Sequence, residues 1–134
     1  MENLTLTYGT KRYAAMTEVQ LLAHGVPQAT IDEAIAAVRL DTIKADCQRR
    51  IYDVLSAETQ ANIASAAAVI GSVAEADRTT EQADMLAAAS EMVDWIAAMR
   101  AAVQALAVDT GADYTLDAAW PECPATVIAL AADY

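Results

Sequence analysis

The sequence predicts a mainly α-helical fold: an antiparallel long-helix hairpin or bundle, with a short N-terminal β arm or hairpin before it and a C-terminal Trp-Pro strap plus short helix after it. Three observations predict this. Over residues 85–106, Met85, Met92, Met99 and Leu106 stand seven apart, with Ala89, Ile96 and Val103 between them. Such alternation of fours and threes lays one apolar stripe along a helix. A second stripe runs through Ala36, Leu40, Ile43, Cys47, Ile51 and Val54. Alanine, the best helix former, makes up about a quarter of the chain, and Phe is absent.

Residues 3–16 alternate and carry β-branched and aromatic side chains, with Leu4 and Leu6 on one side and Thr5 and Thr7 on the other. Gly9 and Thr10 sit where a tight turn belongs. A lone two-stranded hairpin is marginal in water, so this one should lie on the helices or add itself to another sheet. The sequence therefore divides into an N-terminal arm, 1–16, and a helical domain, 17–134.

Thr17 is placed to cap a short helix that "HGVP" stops, through Gly25 and Pro27. Thr30 and Glu33 have capping-box spacing and predict the start of a long helix reaching about Leu55. Ser56 offers a cap for an Ala-rich helix over 57–75, continuous with the second helix or separate from it. "EADRTTEQ", residues 75–82, is a polar break, and Thr79 with Gln82 has capping-box spacing again. The fourth helix should reach about Val108, near 40 Å at about 1.5 Å per residue. Trp120, Pro121 and Pro124 mark an irregular strap, and Pro124 is placed to start a last helix over 125–132.

A chain of 134 residues suggests one domain that can bury roughly two-thirds of its unfolded surface. Alanine buries little area, so the helical layers are thin and support from other polypeptides is expected. The net charge of −11 argues against a nucleic-acid binder and against an anionic membrane surface. No apolar run approaches the roughly 20 residues of a membrane helix. The first residues lack the basic-then-apolar pattern of a signal peptide, so a cytoplasmic site of synthesis is expected. Charge is uneven: Arg39, Lys44, Arg49 and Arg50 lie close together, whereas residues 101–134 hold five acids and no Lys or Arg. These are solvated faces, or the basic cluster meets the acidic segment within one chain or between neighbours.

The chemistry-bearing residues are sparse. One His, two Cys and four Gly form no zinc, nucleophile or phosphate-cradle motif. Cys47 lies on an apolar stripe and reads as a buried thiol. Asp77, Glu81 and Asp84 sit near a helix N-terminus, where the macrodipole stabilises them. No catalytic, cofactor or metal residue is assigned, and no enzyme activity or small-molecule substrate is expected. The candidates are interaction residues. Met85, Met92, Ile96, Met99, Val103 and Leu106 form the helix seam, either as internal core or as a pairing surface, and a homo-oligomer is expected. Leu4, Leu6, Tyr8 and Tyr13 are the docking residues of the arm. Trp95, off the seam, is second-face core or an exposed anchor, and Trp120 is a plug or anchor.

Three segments, "CQRRIYDVLSAETQANIASAAA", "WIAAMRAAVQAL" and "AWPECPATVIALAADY", resemble small helical accessory proteins of bacteriophage and prophage tails, associated with tail fibres. The resemblance rests on Arg49, Arg50 and Ile51; on Gln60 to Ile63; on Trp95, Met99 and Arg100; and on Trp120, Pro121 and Pro124. It covers roughly residues 40–134 and leaves out the N-terminal arm. It implies a structural protein of the virion tail (tip, baseplate or fibre-attachment region), assembled in the host cytoplasm with fibre or tail-tip subunits as partners. A fibre-assembly chaperone absent from the mature virion is the second implication. A cytoplasmic helical adaptor is the reading without the resemblance.

Overall fold

The computed structural model describes residues 3–134. The described chain is mainly helical, as the sequence predicts, and it divides into two compact units, Met1–Ile43 and Lys44–Tyr134.

In the N-terminal unit, strand β1 (Leu4–Tyr8) pairs antiparallel with β2 (Lys11–Met16). Gly9, at φ +63°, takes the left-handed turn between them. The register slips between Leu4, opposite Met16, and Leu6, opposite Tyr13. That leaves one extra residue on β2, a β-bulge, and Ala15 adopts φ +53° there. The Ala15 N–H, out of the ladder, donates to Thr5 Oγ1 at 3.1 Å.

Helix α1 (Glu18–Ala23) opens on a capping box in which Thr17 and Gln20 exchange side-chain-to-backbone hydrogen bonds. It closes on a Schellman turn: Gly25, at φ +82°, donates to the Leu22 carbonyl and Val26 to the Leu21 carbonyl. The turn brings Val26 into one core with Leu21, Ile31, Leu4 and Leu6, with Tyr13, Met16 and Ala34 packed around it. The hairpin thus lies on helices, one of the two outcomes its marginal stability required. Its inward leucines, Leu4 and Leu6, share a core with Leu21, Val26 and Ile31 of the segments that follow.

Helix α2 (Gln28–Val54) contributes its first part to this unit and its last part to the next. It starts earlier than the Thr30–Glu33 capping box predicted. The Pro27 carbonyl already accepts from Thr30 and Ile31. Pro27 thus stands at the N-cap position, where its carbonyl takes the first helical bonds, and the helix is already running at Thr30. The Gln28 side chain donates to Glu18 and Asp32 across the junction.

In the C-terminal unit, α2 ends at Val54 and Ser56 caps α3 (Ala57–Gly71) by accepting from the Thr59 N–H at 3.0 Å. Two separate helices result. A 3₁₀ turn (Glu75–Asp77) leads to α4 (Thr80–Val108), whose Thr79–Gln82 capping box is as expected. A second 3₁₀ turn (Asp117–Ala119) precedes α5 (Ala125–Asp133).

Helix α4 is the spine of this unit, and its closest backbone neighbours are α3 and α5. Helix α5 returns along its first half, with Thr126 Oγ1 donating to Glu91 and Tyr134 reaching the groove beside Glu81. The last turns of α2 run beside the second half of α4 in the opposite sense. Asp53 and Val54 lie near Trp95, whereas Cys47 faces the Arg100 turn. This antiparallel pairing agrees with the predicted hairpin, and its wider spacing leaves clefts between the two helices.

Candidate functional site

The seam of α4 faces inward. Met85, Met92, Met99, Val103 and Leu106 are buried, Met99 at 1% exposure. Ile96 is the exception: it is half-buried and borders a cleft against the end of α2. Trp95, at 6% exposure, takes the core position instead. Trp95 stands three residues after Met92 and four before Met99, so it widens the same buried face on the side that Ile96 does not occupy. In this chain the seam packs as the unit's own core.

The expected docking residues of the arm are mostly committed. Leu4 and Leu6 are buried, and Tyr13 packs on the same core with its ring 5.7 Å from that of His24. Only Tyr8 stands at the surface.

Neither tryptophan is an exposed anchor. Trp120 is buried and its indole N–H donates to the Tyr114 carbonyl at 2.7 Å. The Trp95 indole donates to the Pro121 carbonyl at 3.2 Å. Buried indoles need an acceptor, and here both find one in the strap, which they fasten to α4 and to itself.

Arg50 makes the third fastening. Its Nε donates to Asp46 at 2.7 Å, its Nη1 to Asp117 at 2.6 Å and its Nη2 to the Thr115 carbonyl at 3.0 Å. Its guanidinium lies over the Trp120 ring. Arg49 adds bonds to Asp46 and Asp53. Partial burial pushes the Asp46 carboxyl upward, but the hydrogen bonds from Arg50 and Arg49 outweigh it and hold Asp46 below its ordinary value. Of the basic cluster, Arg50 thus meets the acidic C-terminal segment inside one chain. Charge asymmetry and the i, i+4 spacing of Asp46 and Arg50 signalled half of this clasp. Its other half, Asp117 and the Thr115 carbonyl, carries no local signal.

One face of α4 remains uncovered. Val93 (61% exposed), Ala97, Ala101, Ala105 and Val108 (84% exposed) follow one another at spacings of four, four, four and three. They form a stripe of small and apolar side chains about 22 Å long, turned away from the buried methionines and carrying one acid, the exposed Asp94, among them. Among the described residues, no group of three or more His, Cys, Asp or Glu side chains is placed to hold a metal. No described helix is long and apolar enough to cross a membrane. Cys47 and Cys123 are free thiols, and burial raises both above the ordinary thiol value.

Comparison with protein-family models and with curated proteins finds no match to this sequence.

Proposed function

We propose that the chain is a structural, interaction-making protein of a bacteriophage tail, working at the tip, baseplate or fibre-attachment region. The resemblance of residues 40–134 supplies the tail setting. The observation that carries the interaction role is the uncovered stripe of α4. With the methionine seam used internally, association between subunits falls to Val93, Ala97, Ala101 and their neighbours. Their small side chains admit a partner helix at the short end of the usual 8–10 Å interaxial range. A specific contact there would bury on the order of 1,200 Å² or more in total.

Mass spectrometry of purified tailed particles from cells that encode the chain tests the setting. The expected result is the chain in fixed proportion to other tail subunits. Its presence in the lysate and absence from finished particles would reject a structural subunit in favour of an assembly chaperone. Light scattering after size-exclusion chromatography tests association. Reversible binding to a soluble host protein, with none to tail subunits, would favour the cytoplasmic adaptor.

A further inference from the structure

A cleft of about 340 Å³ lies between the last turns of α2, the first turn of α3 and the second half of α4. Its floor is apolar: Cys47, Ile51 and Val103 are buried there, and Ile96 is half-buried. Its rim is basic. Lys44 and Arg100 stand on opposite helices, with the amides of Gln48, Gln60 and Gln104 between them.

None of the ten residues lining the cleft is Asp or Glu, although the chain has 19 acids against 8 Lys and Arg. The clasp arginines are ion-paired. Lys44 and Arg100 have neither an ion pair nor a hydrogen bond among the described residues. Two unpaired cations on one acid-free cleft make a local positive site in a strongly negative molecule. A site of this size, mostly apolar with a few convergent polar groups, suits a small ligand.

We infer that this cleft binds a small amphipathic anion, a carboxylate or chemically similar head on an aliphatic or aromatic body. The head sits between Lys44 and Arg100, and the body lies on Ile51, Ile96 and Val103. Arg100 offers a planar fork to a carboxylate and Lys44 a mobile point charge. The Gln48 and Gln104 amides supply further donors, whereas the Gln60 amide already donates to the Leu55 carbonyl at 2.9 Å. Binding requires no chemistry, so the site is a ligand site and not a catalytic one. It stands independently of the tail setting.

Titration of the ¹⁵N-labelled full chain with octanoate, 1-octanol and inorganic phosphate tests it. Octanoate should shift the amides of Cys47, Ile51, Ile96 and Val103, and both octanol and phosphate should bind about tenfold more weakly or worse. Lys44→Gln with Arg100→Gln should weaken octanoate by a similar factor while leaving the thermal unfolding midpoint in place, since both side chains are exposed. Arg100→Lys should retain most of the binding. Equal binding of octanol would overturn the role of the cations. Equal binding of phosphate would overturn the role of the apolar floor. No response to octanoate, with the same amides shifted by an acidic peptide, would assign the cleft to a protein partner and overturn the inference. No response to either would overturn it outright.

Discussion

The Arg50 guanidinium lies 5.3 Å from the centroid of the Trp120 ring while its Nη1 holds Asp117 at 2.6 Å, across 67 residues of chain. Arg50 joins α2 to the C-terminal strap through three groups, the Asp117 carboxylate, the Thr115 carbonyl and the Trp120 ring, while Asp46 on its own helix holds the guanidinium in place. Its side chain is only 13% exposed, so these contacts are less screened than surface ion pairs. Asp117, at 99% exposure, is the weak member.

Removing the arginine should therefore release the strap. Arg50→Ala is expected to cost about 2 kcal/mol, since it breaks hydrogen bonds to a half-buried charged partner and uncovers the indole. Asp117→Ala should cost well under 1 kcal/mol. Chemical denaturation followed by tryptophan fluorescence measures both, and limited proteolysis should show faster cutting within residues 109–119 for Arg50→Ala. Equal stability of the two variants would contradict the ranking.

The clasp is also pH-dependent. The folded Asp46 carboxyl titrates below its unfolded value because Arg50 and Arg49 favour its charged form over the opposing effect of burial. A depressed folded value means that the unfolded chain binds the proton first as pH falls. The stabilisation is complete above the unfolded aspartate value of about 3.9 and is lost as pH drops through it towards the folded one. Asp46→Asn should cost about 1–2 kcal/mol at pH 7, and the gap to wild type should narrow as pH falls below about 4. Urea melts at several pH values read this directly.

Two backbone positions should respond to substitution in opposite directions. Ala15 occupies a left-handed conformation in the bulge, where a Cβ costs about 1–2 kcal/mol. Ala15→Gly should stabilise the N-terminal unit, by about 0.5–1 kcal/mol after the greater entropy of glycine in the unfolded chain is counted. Gly25→Ala should destabilise it by about 1 kcal/mol, because the Schellman turn needs φ +82° while open space surrounds the added methyl. Thermal melts of the two variants should move apart around the wild-type midpoint.

The helices and their caps were readable from the sequence because their causes are local. Thr17 and Thr79 each find their glutamine three residues on, and Gly25 announces its own positive φ. What failed was local competition and distance. Thr30 was a sound cap until Pro27 offered a better start three residues earlier. The bulge at Ala15 carries no glycine to mark it. The direction of the methionine seam was ambiguous, since an apolar stripe looks the same facing an internal neighbour or another chain. Trp95 leaves two outcomes open in the sequence, core or exposed anchor, because its position beside the seam does not say which neighbour lies on that side; burial at 6% exposure gives the first. The Arg50–Asp117 contact and the Lys44–Arg100 cleft depend on how α2 and α4 are laid side by side, which no stretch of sequence encodes alone.

Opposite faces of α4 should accordingly give opposite phenotypes. Met99 is 1% exposed, so Met99→Ala leaves a cavity and should cost about 2–5 kcal/mol. Ala101, two residues on, is exposed on the uncovered stripe, and Ala101→Glu should change stability by no more than about 0.5 kcal/mol. If that stripe is where subunits meet, the same glutamate places a charge in a close helix contact, which like or unpaired charges oppose. On the proposed tail role, Ala101→Glu should then abolish association with tail subunits, with circular dichroism and melting midpoint unchanged. Val93→Glu, two turns earlier on the same face, should do the same. Full association by both glutamate variants would remove the stripe as the meeting surface, whatever the effect of Met99→Ala.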